Sequence, residues 1–94
     1  MDWDVGLPQP VRVRATPVGI PWAVLLKLPE RRHRQEGYAW RRVNQIVGWP
    51  WRIDDLWWTD RPIARRYFRL VLDPGQKVAV FQDLSSGNWY RQQV

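Results

Sequence analysis

The chain has 94 residues, enough for one small domain whose core is limited by its size. It contains no Cys, so disulfides and thiolate metal sites are excluded, and eight Trp, three Tyr and two Phe must supply much of the apolar area that stabilises the fold. Fifteen Lys and Arg, thirteen of them Arg, outnumber nine acidic residues and give a net charge of +6, which favours an anionic partner.

The N-terminal half of the chain predicts an arm followed by strands. Residues 1–10 contain Gly and Pro and lack periodicity, so we predict a flexible N-terminal arm, with a single β domain over residues 11–94. Strict alternation over residues 11–16 predicts a half-buried strand with its apolar residues on one face. Residues 22–28 are apolar on both faces and predict a central strand.

No segment of the chain has the pattern of a membrane span or a signal peptide. Asp2 and Asp4 stand where a signal peptide would carry positive charge. The apolar run 18–26 is broken by Gly and Pro and is shorter than the about 20 residues that a bilayer requires. We therefore expect a soluble, cytoplasmic protein without a membrane partner, as a monomer or a weak homodimer.

The middle of the chain contains a polar loop and an ambiguous apolar segment. Residues 29–37 predict a loop whose basic run, Arg31–Arg34, is either a phosphate-binding loop or a solvated connection. Residues 38–47 contain apolar residues at helical spacing, but their aromatic and β-branched content and the Gly48-Trp49-Pro50 break that follows favour a strand. The extended chain resumes at residues 51–53.

The last third of the chain predicts two consecutive β-hairpins. Phe68, Leu70 and Leu72 alternate with polar or mixed residues and predict a strand with one apolar face. A turn at residues 73–75 precedes a strand over residues 77–83. A second turn, in which Gly87 takes a left-handed conformation, leads to the final strand.

The register of the first of these hairpins depends on the length of its turn. An even loop of two or four residues places Phe68 beside Phe81 on one face, whereas a three-residue loop places Leu70 beside Val80. The Pro74-Gly75 pair favours the even loop. Together, about six short strands without a long helical pattern predict an all-β domain: a small antiparallel barrel or a strongly curved sheet.

Residues 38–94 also carry aromatic and Arg motifs in a specific order: Trp40-Arg41-Arg42-Val43, Trp51-Arg52, Trp57-Trp58, Arg65-Arg66-Tyr67-Phe68 and Gly87-Asn88-Trp89-Tyr90. This order resembles a small uncharacterised bacterial module that occurs alone or at the C-terminus of catalytically inactive Y-family polymerase relatives of the mutasome type. The chain shows no polymerase palm, fingers or thumb and no β-clamp-binding peptide. The resemblance implies a repair-associated accessory that contacts protein or DNA and carries out no catalysis.

The inventory of titratable residues argues against an enzyme. His33 is the only histidine, which leaves almost nothing from which to build a transition-metal site or an activated nucleophile. Asp54, Asp55 and Asp60 have the chemistry to hold Mg²⁺, but we interpret the first two as turn residues and the third as the partner of a neighbouring Arg. We therefore expect no enzymatic activity, no cofactor and no metal.

Binding is the remaining class of function, and nonspecific contact with nucleic acid is the leading hypothesis. The Arg residues at 12 and 14 share one strand face, as do those at 65 and 69, so two stripes of positive charge can form. Arg side chains pair with phosphate, and no recognition helix is visible. The predicted nucleic-acid-binding residues are Arg12, Arg14, Arg41, Arg42, Arg65, Arg66 and Arg69.

The aromatic residues divide into a predicted core and a predicted surface. We expect Trp22, Trp40, Trp49 and Trp51 to fill the core. The predicted partner-binding residues, which lie beside turns and arginines, are Trp57, Trp58, Trp89 and Tyr90. Such residues either stack on the bases of single-stranded nucleic acid or anchor a protein-protein adaptor on a DNA-repair or replication protein. The sequence leaves both alternatives open.

Overall fold

The computed structural model describes residues 8–27, 37–55 and 63–92, and within these ranges the chain is all-β, as predicted. The described residues form eight strands, against about six predicted, and one of the additional strands comes from residues 9–10 of the predicted arm. Their bounds are β1 (Gln9–Pro10), β2 (Arg12–Ala15), β3 (Pro21–Lys27), β4 (Tyr38–Ile46), β5 (Trp51–Asp55), β6 (Ile63–Leu72), β7 (Gln76–Asp83) and β8 (Trp89–Gln92).

The strands form one antiparallel sheet that curls into a half-barrel. Their order is β1-β8-β7-β6-β4-β3-β2, and β5 lies beside the N-terminal half of β6. β1 pairs with β8 and β2 pairs with β3, although β1 and β2 are separated only by Val11. The Val11 amide donates a hydrogen bond of 3.1 Å to the carbonyl oxygen of Trp89. One continuous segment therefore joins the two ends of the sheet.

The hydrophobic core covers one face of this sheet, which we call the inner face. It is built from aliphatic residues and one Phe, because the alternating residues of β6 and β7 meet those of β3 on the same side. Phe68, Leu70 and Leu72 are at most 1% exposed, which confirms the apolar face predicted for this strand. The core residues are Val24, Leu26, Phe68, Leu70, Leu72, Val78 and Val80.

The two closing hairpins are confirmed, but the predicted register of the first is wrong. Leu72 pairs with Gln76, so three residues form the turn, and Phe68 lies opposite Val80 instead of beside Phe81. This register puts the apolar residues of both strands on the inner face, whereas an even loop would turn one set outward. Burial therefore decides the turn length. In the second hairpin Gly87 has φ of +81°, as predicted.

The predicted Trp core is also wrong. Trp22, Trp40, Trp49 and Trp51 are exposed by 45%, 38%, 90% and 37%, respectively. The inner face of the half-barrel is already filled by Val, Leu and Phe side chains, which leaves these large rings on the opposite side of the sheet or at its turns. The sheet consequently has aromatic residues where a surface is expected.

Candidate nucleic-acid interface

The face opposite the core, which we call the outer face, gathers cations from the first half of the sheet. Side chains of directly paired residues point to the same side. Arg12 lies opposite Leu25, which in turn pairs with Trp40, and Arg14 lies opposite Ala23, which pairs with Arg42. The three Arg side chains therefore share one surface. β2, β3 and β4 contain no acidic residue, so nothing within these strands neutralises that charge.

The second predicted stripe lies on the same outer face. Arg65 and Arg69 alternate with the buried Phe68 and Leu70 along β6, so they point away from the core. Lys77 joins them from β7, where it pairs with Val71. Val71 also pairs with Gln45 of β4, which makes the surface continuous between the two halves of the sheet. Asp83 lies opposite Arg65 and is a carboxylate of this part of the sheet.

Two of the seven predicted Arg residues lie on the inner side instead. Arg41 pairs with Val24, a core residue. Arg66 donates hydrogen bonds of 3.1 Å from its guanidinium to the carbonyl oxygens of Val18 and Gly19. It thereby ties the turn between β2 and β3 to β6. The nucleic-acid contact predicted for these two residues stays a prediction, and the outer face does not include them.

A row of four aromatic rings crosses the outer face from β5 to β8. Trp51 pairs with Tyr67, Tyr67 with Phe81, and Phe81 with Tyr90. Successive ring centroids are 5.2, 4.8 and 5.2 Å apart. The Arg65 guanidinium lies 4.6 Å from the centroid of Phe81 and donates a 3.3 Å hydrogen bond to the Tyr67 hydroxyl. Stacking and the Arg65 guanidinium cover the two central rings, those of Tyr67 and Phe81, whereas Trp51 at the end of the row is exposed.

A groove of about 690 Å³ runs beside the exposed end of the row. The Arg69 guanidinium lies 5.2 Å from the Trp51 ring centroid. Among the residues that the structure describes, no carboxylate lines the groove. Its lining is therefore apolar with positive charge at its margin. The side chains that characterise it are Val47, Trp51, Ile53, Tyr67, Arg69 and Lys77.

The part of the outer face that β2, β3 and β4 form also combines cations with aromatic rings. The Arg14 guanidinium lies 4.3 Å from the ring centroid of Trp40 and 5.9 Å from that of Trp22. Tyr38, at the start of β4, is 65% exposed. Arg-aromatic contacts of this kind hold a guanidinium over a ring while its N–H groups remain available to an anion. Both this part of the outer face and the part that carries the aromatic row therefore combine Arg side chains with aromatic rings.

Two of the four predicted partner-binding residues, Trp89 and Tyr90, are half-buried instead of exposed. Trp89 is half-buried and packs on the inner face, with its ring centroid 5.8 Å from that of Phe68. Tyr90 is half-buried and stacks on Phe81 in the aromatic row. Trp57 and Trp58 lie outside the described residues, so their predicted role stays a prediction. Among the described residues the most exposed ring is that of Trp49, for which the sequence predicts a core position.

The carboxylates considered as Mg²⁺ ligands do not assemble in the described part of the chain. Asp54 and Asp55 lie in β5, so their interpretation as turn residues is wrong. The Arg52 guanidinium donates to both carboxylate oxygens of Asp54 at 2.9 and 3.1 Å. No cluster of three or more metal-ligating residues occurs within residues 8–27, 37–55 and 63–92. Asp60, His33 and the basic loop Arg31–Arg34 lie outside these ranges.

Comparison of the chain with protein-family models, curated proteins and solved structures gives no match. The part of the chain that the structure describes forms no helix that could span a bilayer. The function is therefore inferred from the geometry of the outer face.

Proposed function

We propose that this chain is a non-catalytic accessory module that binds nucleic acid nonspecifically through the outer face of its sheet. The observation that carries the proposal is the convergence on one face of five arginines that are distant in sequence: Arg12, Arg14, Arg42, Arg65 and Arg69. A role in DNA repair or replication rests on the resemblance of residues 38–94 to the tail module of inactive Y-family polymerase relatives. A cytoplasmic location rests on the lack of Cys, which suits a reducing compartment.

The chemistry of the face suits a phosphate backbone better than individual base pairs. An Arg fork makes paired hydrogen bonds to phosphate oxygens, and several forks on one rigid sheet can follow successive phosphates. The described residues include no helix to enter a major groove. Such binding releases counterions, so its affinity must fall steeply as salt increases.

Two double variants with equal charge loss test the proposal. Arg12→Gln with Arg42→Gln removes two cations from the outer face, from a starting net charge of +6. Arg52→Gln with Arg91→Gln removes two cations that do not belong to this face, since Arg52 pairs with Arg66 and Arg91 pairs with the core residue Val80. Anisotropy of a labelled thymidine oligonucleotide measures the affinity at several salt concentrations. The outer-face variant should lower the slope of log affinity against log salt by about 1.4, since each single-strand phosphate contact contributes about 0.7.

The control variant should retain the slope of the unmodified protein. Equal losses in both variants would mean that net charge alone governs binding and that the outer face has no special role. Absence of binding at low salt would remove the proposal altogether.

A protein-protein adaptor is the second candidate, favoured by the exposure of Trp49. This ring is 90% exposed, and the neighbouring Val47 and Ile53 are each 40% exposed. Large exposed rings of this kind are frequent anchors of protein interfaces. An adaptor that docks on a repair or replication protein would lose that partner in Trp49→Ala, whereas the affinity for the oligonucleotide would not change.

A further inference from the structure

We propose that the groove beside Trp51 is a base-binding site, which makes the outer face selective for single-stranded nucleic acid over duplex. The inference rests on the proposed function and names the form of nucleic acid that the face accepts. Its occupant is an unpaired base with its flanking phosphates.

The dimensions and lining of the groove fit this occupant. Its volume of about 690 Å³ lies within the range of roughly 300–1,000 Å³ that is typical of small-molecule sites. Trp51, which is exposed, supplies the aromatic surface, and Val47 and Ile53 supply apolar walls. Any base has a flat π face, so such walls accept bases of every sequence.

The charge at the margin of the groove fits the phosphates that accompany a base. Arg69 lies on Trp51, with 5.2 Å between the guanidinium carbon and the ring centroid, and Lys77 lines the same groove. A nucleotide whose base reaches the aromatic wall therefore carries its phosphate within reach of two cations. The described lining contains no carboxylate that would repel it.

The position of Trp51 explains the selectivity for a single strand. Trp51 is stacked against Tyr67 with an angle of 7° between their planes, so it belongs to the sheet surface and is held in place. In a duplex the base faces are covered by neighbouring bases, and a base reaches an external ring only after it leaves the stack. Single-stranded chains present their bases without this cost.

The test compares a thymidine single strand with an abasic single strand of the same length and charge, and with a duplex supplied at the same total phosphate concentration. The unmodified protein should bind the thymidine strand about tenfold more tightly than the abasic strand, because base-aromatic stacking adds to the phosphate contacts. Trp51→Leu should remove most of this preference and leave the affinity for the abasic strand within about twofold.

Trp49→Leu is the matched control, since it makes the same chemical change at a ring that is 90% exposed and does not line the groove. It should retain the preference for thymidine. If Trp51→Leu fails to fold, Trp51→Phe and Lys77→Gln replace it: the former should retain part of the base preference, and the latter should weaken both single strands.

A second measurement locates the base directly. The indole N–H signal of Trp51, assigned by its loss in Trp51→Phe, should shift in the NMR spectrum when the thymidine strand is added, and much less when the abasic strand is added. An unshifted signal during tight binding overturns the inference, because the groove then belongs to another occupant, such as a peptide.

The outcomes separate this inference from the proposed function. Equal affinity for thymidine, abasic and duplex oligomers, with the expected loss in Arg12→Gln with Arg42→Gln, overturns the base site and retains the basic face. No binding of any oligomer overturns both.

Discussion

Gly19 and Gly48 have similar backbone conformations but different surroundings. Their φ angles are +85° and +70°, which L-residues with a side chain rarely adopt. A Cβ atom at Gly48 would meet nothing within 4 Å, whereas one at Gly19 would overlap the terminal nitrogen of Arg66. That nitrogen is the one that donates to the Val18 and Gly19 carbonyl groups.

We therefore expect Gly19→Ala to destabilise the domain more than Gly48→Ala does. The strained backbone alone should cost about 1 kcal/mol at either position. At Gly19 the displaced Arg66 should add about 1 kcal/mol or more, since hydrogen bonds from a charged group are lost. Urea denaturation of both variants measures the free energies of unfolding. Equal losses would show that Arg66 accommodates the methyl group and that its contacts with the turn contribute little.

At the scale of elements, strand β8 and the turn between β4 and β5 present their Trp residues in opposite ways. Trp89 on β8 packs against the core beside Phe68, with 5.8 Å between ring centroids. Trp49, in the turn, is 90% exposed. The sequence around the two residues is similar. Trp49 follows Gly48 and precedes β5, and Trp89 follows Gly87 closely and lies within β8.

Trp89→Ala should lower the free energy of unfolding by about 2 kcal/mol, less than the about 3–5 kcal/mol typical of a fully buried ring because Trp89 is half-buried. Trp49→Ala should change it by no more than about 0.5 kcal/mol. Chemical denaturation followed by far-UV circular dichroism compares them. A larger loss for Trp49→Ala would contradict the positions of both rings.

At the scale of the whole molecule, the segment Gln9–Ala15 determines how the sheet closes on itself. β1 pairs with β8, and β2 pairs with β3 at the other end of the strand order. Without β1 and the hydrogen bond from the Val11 amide to Trp89, β8 would become an unprotected edge strand.

A chain that begins at Arg12 should therefore exchange the amide hydrogens of β8 about tenfold faster than a chain that begins at Pro8, because loss of paired backbone groups permits local opening. Hydrogen exchange followed by NMR measures this difference. Amides of β6, in the middle of the sheet, should change much less. Equal acceleration in β6 and β8 would indicate that the segment supports global stability instead of one edge.

Most of the local structure was determined by the sequence itself. Alternation predicted the inner face of β6 at Phe68, Leu70 and Leu72, because a side-chain period of two is a property of any strand. The Gly at position 87 predicted the turn of the second hairpin, since few other residues adopt a φ of +81° without strain. The same alternation predicted that Arg65 and Arg69 share a face.

Only the tertiary structure decided which faces become buried and which residues meet. A bulge between Val43 and Gln45 shifts the register of β4 against β6, so Val43 packs on the core while Val47 lines the outer groove, although period two puts both on one face. The exposure of Trp51 follows from a core that aliphatic residues already fill. Strand alternation is a local property of the backbone, whereas strand order, bulges and the volume of the core depend on contacts between residues that are distant in sequence. For this reason the sequence predicts the arginines of the candidate site as two separate stripes. It does not predict that both stripes lie on one face together with the aromatic row.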